Sequence, residues 1–410
     1  MTEHGSKLNI LAPIETRPKL DRLERLVRRS GGGRMTRAEA LGVAGLALLA
    51  AAGCGGKTSA AGGGGGGASS SGAADPLAGK PMESNLVIYN WSQYDDPSTY
   101  KSFKTENNVA IKETYYSSND ELLAKLQAGG TGYDIIVPSQ NAVGELVQLG
   151  SLMKLDKALI PNASAVESSW VKTAYDPTGE YKVVKDFGVT MFFYNNKIIT
   201  EKPTTMKQFY DLLPKYGKVG RTNLMDGAEE VVPLALMALG YDPNTGDSAE
   251  LDKAKSFLLS IRSGVTTIDS SNYINDASAG KIILGQGWNG DVRRIVSARK
   301  KQGDITAVLP QDTSEKWADN WCIPATAPDP VAAHAWINHL CDPAVAVTEM
   351  EYHNYPIPIQ AALDQTPAEL KNDPLFNVPT SYTDHYKFIL NPSQEIVNAR
   401  TQIYTAFQSA

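Results

Sequence analysis

From Asn85 onward the chain alternates short apolar runs with amphipathic stretches. NLVIYNW (85–91) and VAIKETYY (109–116) are rich in β-branched and aromatic residues and read as strands. YDIIVPS (133–139) is a continuous apolar run, the pattern of a parallel strand buried on both faces. Residues 97–107 carry Tyr100, Phe103 and Lys104 in a helical stretch, and Ser118-Asn119-Asp120-Glu121 opens a helix that stops at Gly129-Gly130. NAVGELVQLG (141–150) is a further helix. The order βαβαβ predicts a parallel sheet flanked by helices.

A second set follows. Residues 188–196 (GVTMFFYNN) read as a strand, 206–216 (MKQFYDLLPKY) as a helix and 218–224 as a strand. Apolar-faced helices are expected at 227–240 and 252–264. Residues 281–290 (KIILGQGWNG) form a strand leading into a helix from Asp291, residues 305–310 and 320–325 are strands, and helices near 331–341 and 394–408 close the chain. No internal repeat is visible.

The first eighty or so residues follow neither pattern. Residues 41–52 (LGVAGLALLAAA) are apolar but too short to span a bilayer, and Arg28, Arg29, Arg34 and Arg37 precede them. Gly53-Cys54 follows, with Gly55-Gly56 beyond. Small residues before a cysteine at the end of such a run resemble a bacterial lipoprotein lipobox, with Ala51 where leucine is usual. Residues 1–53 are then an export signal that is removed, and Cys54 carries lipid; the Arg28-Arg29 pair leaves the export route open. Residues 54–83 contain six consecutive glycines at 62–67 and Ser69-Ser70-Ser71, the composition of a flexible tether. About 25 such residues reach roughly 25–30 Å. The expected location is the outer face of the cytoplasmic membrane.

Of the 410 residues, about 330 remain for the folded body, enough for two α/β lobes with separate cores. The net charge is −6 overall; without residues 1–53 it falls to −10, from 30 basic and 40 acidic residues. This excludes the basic footprint of a nucleic-acid binder and is compatible with a cationic ligand. The chain has no Gly-x-Ser-x-Gly, His-Glu-x-x-His or phosphate-loop motif. Its five histidines show no metal-ligand spacing, so neither enzyme chemistry nor a cofactor or metal is expected. Cys322, in a strand, and Cys341, at the end of the following helix, are either a disulfide or two buried thiols.

In open parallel sheets ligands bind beyond the carboxyl ends of strands. Those ends carry Tyr89-Asn90-Trp91-Ser92-Gln93-Tyr94, Ser139-Gln140-Asn141, Asp226 with Glu229 and Glu230, and Trp288-Asn289-Gly290-Asp291. Trp317 and Asp319 precede the strand at 320–325, and Tyr355 follows a helix near 350. Aromatic faces with carboxylates suit an organic cation: rings cover methylenes and attract ammonium groups, and carboxylates accept their hydrogen bonds. Each has an ordinary alternative, the rings as core packing and Glu229-Glu230 as complements to a helix dipole.

YNWSQY, YDIIVPS, the EEV helix start, WNGD, WADNWCIP, AAHAWINHLCDP and NYPIP, in this order, resemble the bacterial spermidine/putrescine-binding proteins of ABC importers over about residues 84–410. The resemblance implies an α/β, two-lobed periplasmic-binding-protein fold of type II with ligand in the cleft between lobes. It implies one lobe from 84–187 plus 319–360 and another from 188–318 plus 361–410. It maps ligand contacts onto Trp91, Ser92, Tyr94, Ser139, Asp226, Glu230, Trp288, Trp317, Asp319, Tyr355 and Gln394. The expected partners are a polyamine and a membrane permease, with the protein a monomer. Gln93, Asn141 and Gly227 depart from the family pattern, which leaves open the chain-length preference and, as the alternative, another organic amine or an amino acid derivative.

Overall fold

A computed structural model describes residue 77 and residues 79–410. The expected export signal, Cys54 and most of the tether lie outside these described residues.

The first lobe begins with β1 (Asn85–Trp91), α1 (Pro97–Asn107), β2 (Ala110–Tyr116), α2 (Asn119–Gln127), β3 (Ile135–Ile136) and α3 (Gln140–Gln148). Local chemistry sets these boundaries. Asp96 caps α1 by accepting from Ser98 N, with Pro97 at the first helical position, where no amide donor is needed. Ser118 Oγ accepts from Glu121 N, and Glu121 Oε2 reaches back to Ser117 N at 2.9 Å. β1 pairs in parallel with β2 and β3, as the βαβαβ order requires. Of the run 133–139, only Ile135–Ile136 is ladder-paired strand.

β4 (Lys182–Asn195) is a single 14-residue strand serving two sheets. Its first half pairs antiparallel with β9 (Lys316–Cys322), and β9 pairs with β3 in the first sheet. Its second half, from Thr190, pairs with β7 (Ile282–Trp288) and β8 (Ile305–Val308) in the second sheet. The strand order is β2-β1-β3-β9-β4-β7-β5-β6, with β8 also on β4. The second lobe adds α4 (Met206–Tyr216), β5 (Arg221–Leu224), α5 (Ala228–Ala238), α6 (Ser248–Ile261), β6 (Thr267–Ile268), α7 (Tyr273–Ser278) and, after β7, α8 (Asn289–Ala298). After β9 come α9 (Pro330–Leu340), α10 (Pro343–His353), the short α11 (Gln360–Gln365), α12 (Ala368–Lys371) and α13 (Thr380–Thr383), then α14 (Gln394–Ser409).

Two expected boundaries move. β4 begins six residues before the expected strand because its first half carries Lys182, Lys185 and Asp186, all buried, which break the apolar pattern. The body's last segment also divides differently. Ala362, Leu370 and Phe376, expected in the second lobe, pack in the core around Ile88, Trp321 and Trp336 of the first. The second lobe has its own core around Phe192, Phe209, Val232 and Phe407. Cys322 and Cys341 are buried free thiols rather than a disulfide.

Candidate functional site

A cleft runs between the two sheets, lined by ten of the eleven residues anticipated as ligand contacts. The exception is Gln394. It occupies the first turn of α14, exposed, with its amide donating to Asn398 Oδ1 at 3.1 Å. Ser393 caps that helix, its Oγ accepting from Ile396 N at 3.4 Å. Ile389, just upstream, lines the cleft instead.

The aromatic walls come from both lobes. Trp91 ends β1, and its Nε1 donates to Val137 O at 2.9 Å, which fixes the ring. It meets Trp288, at the end of β7, edge to face with centroids 6.2 Å apart, and packs on Tyr116 at 4.6 Å. Trp317 and Tyr355 form a second edge-to-face pair at 5.0 Å, with Tyr94 next to Tyr355 at 6.1 Å. The turn after β1 is sharp. Gln93 sits at φ 58°, in the left-handed region, which leaves Ser92 at the exposed rim and turns Tyr94 inward.

Asp319 lies at the centre. Contrary to the expected register it is a strand residue of β9, next to Trp317 and facing Ser139. It accepts from Ser139 Oγ at 2.6 Å and lies 2.7 Å from Tyr94 Oη. That same phenol lies 2.5 Å from Asp186 Oδ1. One phenolic proton cannot serve two carboxylates at once. Burial, and then Asp186, push the Asp319 carboxyl up to about 7. Asp186 has a cation of its own: Lys185 Nζ, fully buried, sits 3.0 Å from Asp186 Oδ2 and 3.1 Å from Asp95 Oδ1, over the Tyr94 ring at 3.7 Å. Among the described residues no cation forms an ion pair with Asp319, and Lys185 acts on it only from the far side of Asp186. His353 is held neutral by burial, its Nδ1 accepting from Tyr355 N at 3.0 Å.

The second lobe supplies further acids. Asp226 follows β5 and accepts from Tyr404 Oη. Glu229 and Glu230 open α5, and the Oε2 atom of each is shielded from solvent without a hydrogen-bond partner. Burial raises both carboxyls well above the ordinary range; Asp120 from the first lobe adds to the effect on Glu229, and Glu315 adds to that on Glu230. Trp317 Nε1 is likewise buried and unpaired. Glu315, just ahead of β9, lines the cleft and was not anticipated from the sequence, where it sits in a polar loop (QDTSEKW) with no local signal. Among the described residues, the positive group lining the cleft is Arg294, 3.9 Å from Asp291. Among the described residues no cluster of three or more His, Cys, Asp or Glu is arranged to hold a metal ion.

Comparison with known proteins places this geometry. Residues 98–378 match the model of the bacterial extracellular solute-binding proteins. The chain belongs to that family. The spermidine/putrescine-binding periplasmic protein of Escherichia coli is 31% identical over 326 residues, 79% of this chain and 90% of that protein. A putrescine-binding periplasmic protein of Pseudomonas aeruginosa is 30% identical over 301 residues, 70% of this chain and 82% of that protein. The crystal structure of the Tp0655 lipoprotein of Treponema pallidum superposes with a TM-score of 0.68 and 27% identity, covering 79% of this chain and 99% of that one. The solute-binding fold is two-lobed, and here the two sheets joined through β4 form the lobes. No helix among the described residues is long and apolar enough to cross a membrane.

Proposed function

We propose that this solute-binding protein captures a polyamine of the putrescine/spermidine class outside the cytoplasm and delivers it to the permease of an ABC importer. The observation that carries the reading is the charge imbalance of an aromatic-walled cleft. Asp319, Glu229, Glu230 and Glu315 converge there, while Lys185 and Arg294 are each tied to other carboxylates. A buried carboxylate without a counter-ion costs several kcal/mol, and an ammonium brought by a ligand removes that cost. In this reading Asp319 takes one ammonium and Glu230 another. Trp91, Trp288 and Trp317 cover the methylenes between, worth about 0.8 kcal/mol per CH₂. Contact between Trp91 and Trp288 across the cleft corresponds to a closed state, which ligand stabilises over an open one by excluding water.

The names of the relatives support the ligand class, and the Treponema lipoprotein supports a lipid anchor, assigned here to Cys54. The protein then works as a monomeric, membrane-tethered receptor. It turns over no substrate and needs no cofactor. A thermal-shift and calorimetric screen of putrescine, spermidine, spermine, agmatine and amino acids tests this. Stabilisation by a polyamine and not by neutral amino acids is expected; no shift with any polyamine would discard the ligand class.

A further inference from the structure

Glu315 is 4% exposed and held from both lobes. Its Oε2 accepts from Thr190 Oγ1 on β4 at 2.9 Å, and its Oε1 from Gln140 Nε2 on α3 at 3.4 Å. Glu230, from the first turn of α5, comes within hydrogen-bonding reach of it. Two carboxyls in that contact share a proton, since an ionised carboxylate has none to donate.

Among the described residues the charged surroundings offer no counter-ion. Glu229 stands beside Glu230 on α5, and Asp319 lies on the same strand end as Glu315. Asp226, after β5, is engaged by Tyr404, and Asp120 of α2 acts on Glu229. On the positive side, Arg294 of α8 lies toward Asp291, and Lys316 turns away to donate to Thr383 O at 3.2 Å. Lys185 is committed to Asp95 and Asp186 on the far side of Tyr94, and His353 of α10 is neutral.

We propose that Glu315 and Glu230 form a paired carboxylate that receives one ammonium group of the ligand, and that seating this ammonium expels the proton the pair otherwise shares. Without ligand the pair has a net charge of −1. With ligand it has −2, balanced by the ammonium, and the proton passes to solvent. The assignment rests on the cationic-ligand reading above and adds a residue to it. Burial raises the Glu315 carboxyl against the opposing hydrogen bonds of Thr190 and Gln140. The site selects for a terminal ammonium: two of its three N–H donors are met by carboxylates, which a ligand ending in a methyl or a carboxylate cannot reproduce.

The experiment is calorimetry of the full chain with putrescine, spermidine and butylamine at pH 7, in buffers of different ionisation enthalpy, which counts protons released per ligand. Glu315→Gln is expected to lower that count by about one, to weaken diamine affinity about tenfold or more, and to narrow the preference for putrescine over butylamine. Glu230→Gln should reproduce the change in count. The ligand-free Glu315→Gln protein should melt no lower than the native one at pH 8. An unchanged proton count in both variants overturns the pair, as does weakened binding that merely tracks a lowered melting temperature. If the native protein gives a binding heat with no proton release, the pair fails and the ligand class stands. If no polyamine gives any heat, both fail.

Discussion

Replacing Asp319 with asparagine removes a charge while nearly keeping a shape, so its effects can be worked from the surroundings. The carboxyl is 6% exposed and lies within 2.7 Å of both the Ser139 and the Tyr94 hydroxyls. Burial and Asp186 raise it from 3.8 to about 7. About three pKa units correspond to roughly 4 kcal/mol of unfavourable ionisation. An ammonium placed against Asp319 recovers that free energy, and asparagine has none to recover. Asp319→Asn should therefore weaken putrescine and spermidine binding at pH 8 by about 3–5 kcal/mol, some two to four orders of magnitude in Kd. The ligand-free protein should respond oppositely. Because the folded-state value is raised, the protonated carboxyl costs nothing at low pH, and the penalty grows as pH rises from about 4 to about 7. The variant should then be more stable than the native protein at pH 8, and the gap should shrink by pH 5. Isothermal calorimetry gives the first quantity and melting at the two pH values the second. A Kd within threefold of native, or a variant less stable by the same margin at both pH values, would refute the reasoning.

Trp91→Ala or Trp288→Ala should each weaken polyamine binding by about 1–3 kcal/mol, from lost methylene cover and cation–π attraction, beyond any lowering of the ligand-free melting temperature from lost packing. Calorimetry beside a melting curve separates the two effects. Lys185→Met leaves Asp95 and Asp186 buried without their cation and should destabilise the fold by about 3–5 kcal/mol in urea titration, with much of that restored when both aspartates also become asparagine. Burial raises both the Cys322 and Cys341 thiols, so neither should be alkylated by iodoacetamide in the native protein and both should be in denaturant, read by peptide mass spectrometry. Modification of either at native rates comparable to a free peptide would contradict their burial.

Much of the architecture is legible because local signals and tertiary demands agree. The helix Met206–Tyr216 and the strand Asn85–Trp91 stand where apolar spacing puts them. The pattern fails where buried charge satisfies buried charge. Lys185 and Asp186 look like a solvent-exposed turn, yet they are core residues of β4 because each neutralises the other in three dimensions. The cleft divides the same way. Trp91 and Trp288 announce themselves at strand ends, whereas Glu315 acquires its environment from Thr190, Gln140 and Glu230, all distant in sequence. Gln394 is the converse, a polar residue whose position at a helix start outweighs its likeness to a ligand contact.

The path of β4 and β9 has a consequence for how the chain comes into being. The first sheet needs β9, at residues 316–322, before β3 and β4 are bridged, and the first lobe's core needs Trp336, Ala362 and Phe376. A polypeptide emerging from its amino end therefore cannot complete either lobe in order. The opening βαβαβ unit must wait, with one sheet edge unpaired, until nearly the whole chain is available. Assembly by such long-range closure is slow and late, so the first lobe stays incomplete for most of the chain's synthesis.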